Sequence, residues 1–130
     1  MIASPQALET RFVDFAISIG TATETIPRRV SGKPVAEQLA RCGSAPAALY
    51  VEARGAVSAR EYVFKMHLCL KELRETTVWL RIAQGNGFRN ADYAALLAEC
   101  NQLTAITVTC VKKAKATVEA ESKKPQRGKR

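Results

Sequence analysis

Residues 58–80 read SAREYVFKMHLCLKELRETTVWL. Ser58 and Glu61 form the pattern S-x-x-E, in which each side chain can satisfy a free amide at a helix start. From there Tyr62, Met66, Cys69, Leu73, Thr77 and Leu80 recur at steps of three and four. That spacing predicts a helix with one apolar seam, suited to packing at a shallow crossing angle. Gly85, Asn86 and Gly87 end it.

Three further runs keep the same period on either side. Ser4 before Pro5 reads as an N-cap with proline at the first helical position, and Leu8, Phe12, Phe15, Ala16 and Ile19 follow to about Gly20. Residues 21–33 break the period and form a connection. Pro34 opens the second helix, whose stripe is Val35, Leu39, Cys42, Leu49, Tyr50 and Ala53. Pro46 lies within that stripe, which resumes in phase, so a kink between Gly43 and Pro46 is expected rather than a break into two helices. Asn90 or Asp92 caps the fourth helix, which carries Tyr93, Leu96, Leu97, Cys100, Leu103, Ile106, Val111 and Val118 to about Ala120. The fold expected is all-α, an antiparallel up-and-down four-helix bundle over residues 1–120. Residues 121–130 hold no apolar side chain to offset the entropy of ordering them, and are expected to form a flexible basic tail.

Composition agrees with this architecture. The 130 residues are 47% hydrophobic but only 6% aromatic, enough for one core of closely packed helices. No uninterrupted apolar stretch approaches the roughly 20 residues of a membrane span, and the first residues lack a basic region followed by an apolar one. A cytoplasmic protein without membrane partners is expected. Cys42, Cys69, Cys100 and Cys110 show no paired metal-knuckle or redox spacing and read as reduced apolar fillers. Of the net charge of +8, residues 112–130 hold +6, from eight Lys or Arg against Glu119 and Glu121. The body is nearly neutral and the end basic.

The run QLARCGSAPAALYVEA at 38–53, then S-x-x-E-Y-x-x-K from Ser58, then CLKELRETTVWL at 69–80, preceded by RFVDFAISI at 11–19, resembles the four-helix-bundle proteins encoded within intervening sequences of bacterial 23S ribosomal RNA genes. The likeness covers roughly residues 8–111. The sequence departs from it at Ala45, Pro46 and Leu49, where members usually carry Ser-Ile followed two residues later by Asn. The resemblance implies a homopentamer around a central channel, a relationship to accessory proteins of diversity-generating retroelements, and a nucleic-acid role, with no established enzymatic activity.

No constellation supports chemistry. A di-iron bundle needs Glu-x-x-His twice, whereas His67 is the one histidine and Val63, Phe64 and Leu70 around it supply no carboxylate. Gly85 and Gly87 lack the strand and Lys-Ser/Thr of a phosphate loop. Nor do an acid, a base, a nucleophile and an oxyanion group converge. The chain is expected to be no enzyme, with no metal, cofactor or small-molecule substrate. Arg41, Glu52, Lys71, Glu72, Arg74 and Glu75 read as structural ion pairs along and between helices two and three. Trp79 and Tyr62 read as core or subunit contacts rather than base-stacking groups.

Lys112, Lys113, Lys115, Lys123, Lys124, Arg127, Lys129 and Arg130 place positive charge at one end of a rigid body, suited to phosphate contacts without base readout. The function expected is a homo-oligomeric bundle binding RNA or DNA nonspecifically through basic surface and tail. The alternative is a protein-binding oligomeric scaffold or adaptor with no nucleic-acid role. In it, Val63, Phe64 and Val78, off the main seam, make the subunit or partner contacts.

Overall fold

The computed structural model describes residues 4–124, which form four helices: α1 (Pro5–Glu24), α2 (Gly32–Arg54), α3 (Ala59–Gly85) and α4 (Tyr93–Ser122). No strand occurs among the described residues. Each helix packs on the next in the chain, and α1 and α4 also meet, with the sparsest contact of the four pairings. Of the expected tail only residues 121–124 fall among those described, and α4 runs two residues past the expected end at Ala120.

Local chemistry sets the helix starts. Ser4 Oγ accepts the Ala7 amide at 3.1 Å ahead of Pro5. Ser58 Oγ accepts the Glu61 amide at 3.1 Å, and Glu61 Oε2 reaches back to the Val57 amide, one residue ahead of the cap, at 2.9 Å, so one orphan helix donor and the amide just before the cap are satisfied. Asp92 caps α4, with Oδ1 accepting from Ala95 at 3.0 Å. Asn90 acts across the bundle instead. Its Nδ2 donates to the Ala22 carbonyl at 2.9 Å and to Thr25 Oγ1 at 3.0 Å, tying the end of α1 to the α3–α4 connection. The first connection is shorter than residues 21–33, because α1 continues to Glu24. Ala22 is buried there, and the Thr21 and Thr23 hydroxyls bond back to the carbonyls of Ile17 and Gly20.

The core is one cluster. Leu8, Phe12, Phe15 and Ile19 of α1 meet Val35, Leu39 and Tyr50 of α2, with the Phe12 and Tyr50 ring centroids 5.2 Å apart. Met66, Cys69, Leu73 and Leu80 of α3 and Cys100, Leu103 and Val111 of α4 complete it. Tyr62 and Trp79 are half-buried against this cluster. Two threonines, Thr76 and Thr107, are fully buried; each hydroxyl donates to the carbonyl four residues earlier at 2.8 Å, so no polar group is stranded. On α3 it is therefore Thr76, not Thr77, that faces fully inward. Pro46 lies inside an undivided α2, buried, and its carbonyl faces the Cys69 thiol at 3.7 Å. At the same level Gly43 lets α2 approach Ile19 of α1 closely.

All four cysteines are free thiols; Cys42, Cys69 and Cys100 are buried and Cys110 half-buried. Burial pushes the Cys69 thiol up to about 12, because a low-dielectric surrounding disfavours the thiolate. Among the described residues, α4 alone has the length and apolar composition of a membrane-crossing helix. Cys100, Leu103, Thr107 and Val111 on one side of it are turned into the core.

Candidate nucleic-acid interface

Five of the eight basic residues expected to bind nucleic acid are described. Lys112, Lys113 and Lys115 are exposed on the last third of α4, Lys123 ends that helix, and Lys124 follows it, also exposed. None of the five makes a salt bridge among the described residues. Their charges face solvent without a competing carboxylate in contact, the state in which a lysine is available to a phosphate. Arg127, Lys129 and Arg130 lie outside the described residues.

A second basic group, Arg28, Arg29 and Lys33, surrounds a hollow of about 720 Å³ at the α1–α2 connection, with Glu24 and Glu37 also lining it. The Arg29 guanidinium stands 5.0 Å over the Phe88 ring, which places this group beside the start of α4. The lysines occupy the other end of that helix, roughly 30 to 45 Å away at 1.5 Å per residue. Within one chain the two basic groups therefore do not gather on one surface. The first helical amides of α2 are also occupied: Gly32 and Lys33 both donate to the Arg29 carbonyl, at 2.9 and 3.2 Å.

The ion-pair network is real but differently wired from expectation. Arg41 Nη1 donates to Glu72 Oε2 at 3.0 Å and to Oε1 at 3.2 Å, Nη2 reaches Glu75, and Gln38 Oε1 accepts from Nε at 3.2 Å. The Glu72 hydrogen bond holds the Arg41 guanidinium above its ordinary pKa. Glu75 Oε2 also accepts from Trp79 Nε1 at 3.3 Å. Glu52 pairs with Lys65 Nζ at 2.9 Å. Lys71 and Arg74, expected in this network, instead make no salt bridge among the described residues and point to solvent. An i,i+4 partner exists for Lys71 in Glu75, but Arg41 from the facing helix holds that carboxylate. Two pairs missed by sequence reasoning tie α1 to its neighbours: Arg11 with Glu99, where Nε to Oε2 is 3.2 Å, and Arg54 with Glu9 at 3.0 Å. Their separation in sequence hides them, since no local spacing rule connects residues 88 positions apart.

Of the apolar candidates for subunit contact, Phe64 is 60% and Val78 49% exposed, while Val63 is half-buried. Val63, Phe64, Arg60 and His67 of α3 line a hollow of about 410 Å³ together with Lys115, Val118 and Glu119 of α4. A larger groove of about 580 Å³ runs between α1 and α4. No group of His, Cys, Asp or Glu among the described residues is arranged to hold a metal ion.

No protein-family model matches this sequence, and no curated protein matches it. Among solved structures, the fold is similar to that of a protein of unknown function from the S23 ribosomal protein family of Bacteroides thetaiotaomicron. The TM-score is 0.75 over 83% of this chain and 97% of that one, at 19% sequence identity. Such a likeness speaks to the fold alone. The neighbour's family name agrees loosely with a 23S-linked resemblance and says nothing of retroelement accessory proteins.

Proposed function

We propose that this chain is a non-enzymatic, homo-oligomeric four-helix bundle that binds RNA or DNA without sequence preference, through the basic end of α4 and the residues that follow it. The observation that carries the reading is the set of exposed lysines at 112, 113, 115, 123 and 124, none paired with a carboxylate among the described residues. Phosphate neutralisation needs charge that is mobile and uncommitted, and it needs no base-reading geometry.

The pentameric state and the kinship with accessory proteins of diversity-generating retroelements belong to the same proposal and rest on the sequence resemblance; the cytoplasmic setting belongs to it too and rests on the sequence's apolar pattern. The finer architecture is part of the proposal as well, on grounds of its own. Contacts between residues 41 and 72 and between 52 and 65, in opposite order along the two helices, support an antiparallel course for α2 and α3. Pro46 within α2 supports a bend at that point.

The test is the salt dependence of binding. Affinity for a mixed-sequence RNA or DNA strand falls steeply with added salt. Deleting residues 121–130, which removes Lys123, Lys124, Arg127, Lys129 and Arg130, flattens the log–log slope by about 3 for a single strand. Tight binding indifferent to both changes refutes the mechanism.

The scaffold reading has its own observation, the exposure of Phe64 and Val78. It expects an oligomer whose mass falls when these residues become polar, and no affinity for nucleic acid. A monomer by light scattering at working concentration counts against it.

A further inference from the structure

Four cations lie along one side of α3: Arg60, Lys71, Arg74 and Arg81, all exposed. Phe64, His67 and Val78, exposed as well, fall between them, so the stripe runs in alternating steps of four and three. That alternation keeps side chains on one face, and over 21 residues the face is about 30 Å long. None of the four cations makes a salt bridge among the described residues. The carboxylates nearest in sequence are engaged elsewhere. Glu61 caps the helix start through the Val57 amide, and Glu72 and Glu75 hold Arg41. On the α4 side Lys115 adds a fifth cation, with Glu119 the carboxylate lining the hollow between the helices.

We infer that this face binds a single strand of nucleic acid, with phosphates following Arg60, Lys71, Arg74 and Arg81 and an unpaired base stacked on Phe64. The inference rests on the nucleic-acid reading above and gives it a second, helical site of stated chemistry. A row of uncommitted cations interrupted by an open aromatic ring is the combination that tracks a flexible phosphate backbone while holding bases by their faces. Duplex uses only half of it, because paired bases present no free face to a side chain on a convex helix. A two-fold self-contact through this face is disfavoured, since it would set the four cations of one copy against those of another.

The test uses the full chain and a fluorescent mixed-sequence RNA strand, beside a hairpin duplex of equal length. Combined Arg60→Gln, Lys71→Gln, Arg74→Gln and Arg81→Gln lowers single-strand affinity at low salt at least 100-fold and reduces the salt slope by about 3. Phe64→Leu lowers single-strand affinity roughly ten-fold with little change for the duplex, and Phe64→Tyr restores it. All these positions are solvent-exposed, and an unchanged thermal melt checks that the variants fold. If the wild-type chain binds no strand at low salt, the nucleic-acid reading fails and this site with it. If the charge variant binds like wild type while removing residues 121–130 abolishes binding, the reading stands and the α3 site is wrong. Competition by polyglutamate as effective as by RNA would mark a surface for acidic proteins instead. A change of mass in light scattering with no change in affinity would mark a subunit contact. Either of these results overturns the proposal.

Discussion

Replacing Gly43 by alanine tests how closely α1 and α2 are packed. An ideal Cβ at Gly43 stands 2.5 Å from Ile19 Cγ2, 3.0 Å from Ile19 Cβ and 3.1 Å from Ile19 Cγ1. Carbon atoms prefer about 3.5–4.0 Å, so the overlap is on the order of 1 Å. Ile19 cannot swing clear: it is 1% exposed, one clashing atom is its own Cβ, and a β-branched residue in a helix has one strongly favoured rotamer. The helices must separate, at a cost in the upper part of the roughly 1–3 kcal/mol typical of overpacking. Alanine recovers about 1 kcal/mol of helix propensity over glycine, leaving a net loss of about 1–2 kcal/mol. The control is Gly20→Ala, where the new Cβ meets nothing within 4 Å and the same propensity gain stabilises. Thermal melts should place the two variants on opposite sides of wild type, each shifted by about 3–8 °C. A cycle with Ile19→Ala separates steric from backbone effects, because removing Cγ2 relieves the clash and the double variant should be less destabilised than the sum of the singles. Equal stabilisation by Gly43→Ala and Gly20→Ala, or strict additivity with Ile19→Ala, would refute a close approach of the two helices at this level.

Three other outcomes follow from the structure. Asp92→Ala and Ser58→Ala each remove a cap that accepts a backbone amide. Each should cost about 1 kcal/mol in denaturant unfolding, whereas Asn or Thr at either position should retain most of the stability. In native protein at mild alkaline pH, a thiol reagent should modify Cys110 first, because it alone is partly exposed; Cys42, Cys69 and Cys100 should react only on unfolding, as read by mass spectrometry. Stability should also fall on the alkaline side. Burial raises the pKa of Cys42, Cys69 and Cys100, and of Tyr62 with the Cys110 thiol beside it, so above about pH 9 the unfolded chain releases protons that the folded one keeps. The contribution is fully present below pH 9 and is lost as pH rises toward the Cys69 value of about 12. Melts showing a constant Tm from pH 8 to pH 11 would contradict it.

The helices are readable because their signals are local. A capping box, a Ser-Pro start and apolar side chains every three or four positions act within a few turns, and α3 begins and ends where those signals place it. What escapes reading depends on partners distant in sequence. Gly43 looks like a weak point beside Pro46, whereas its use is to let Ile19 approach from another helix. Thr76 and Thr107 look polar, but a hydroxyl bonded within its own helix can be buried like a small apolar group. Lys71 has a carboxylate at the correct local spacing, and only the folded chain reveals that Arg41 already holds it. The basic end of α4 can be read from charge alone, yet the separation of Arg28, Arg29 and Lys33 from it requires the course of all four helices.

The sparse contact between α1 and α4 makes the bundle unequal in its four seams. The other three seams carry most of the contact, while the fourth is fastened by Arg11 with Glu99, and Asn90, just ahead of α4, bonds the Ala22 carbonyl near the end of α1. The molecule is built like a book whose cover is α1 and whose spine is the α1–α2 contact. Loosening either clasp frees the cover before it disturbs the pages, so local opening begins at α1 and exposes the inner side of α4 while α2, α3 and α4 stay assembled.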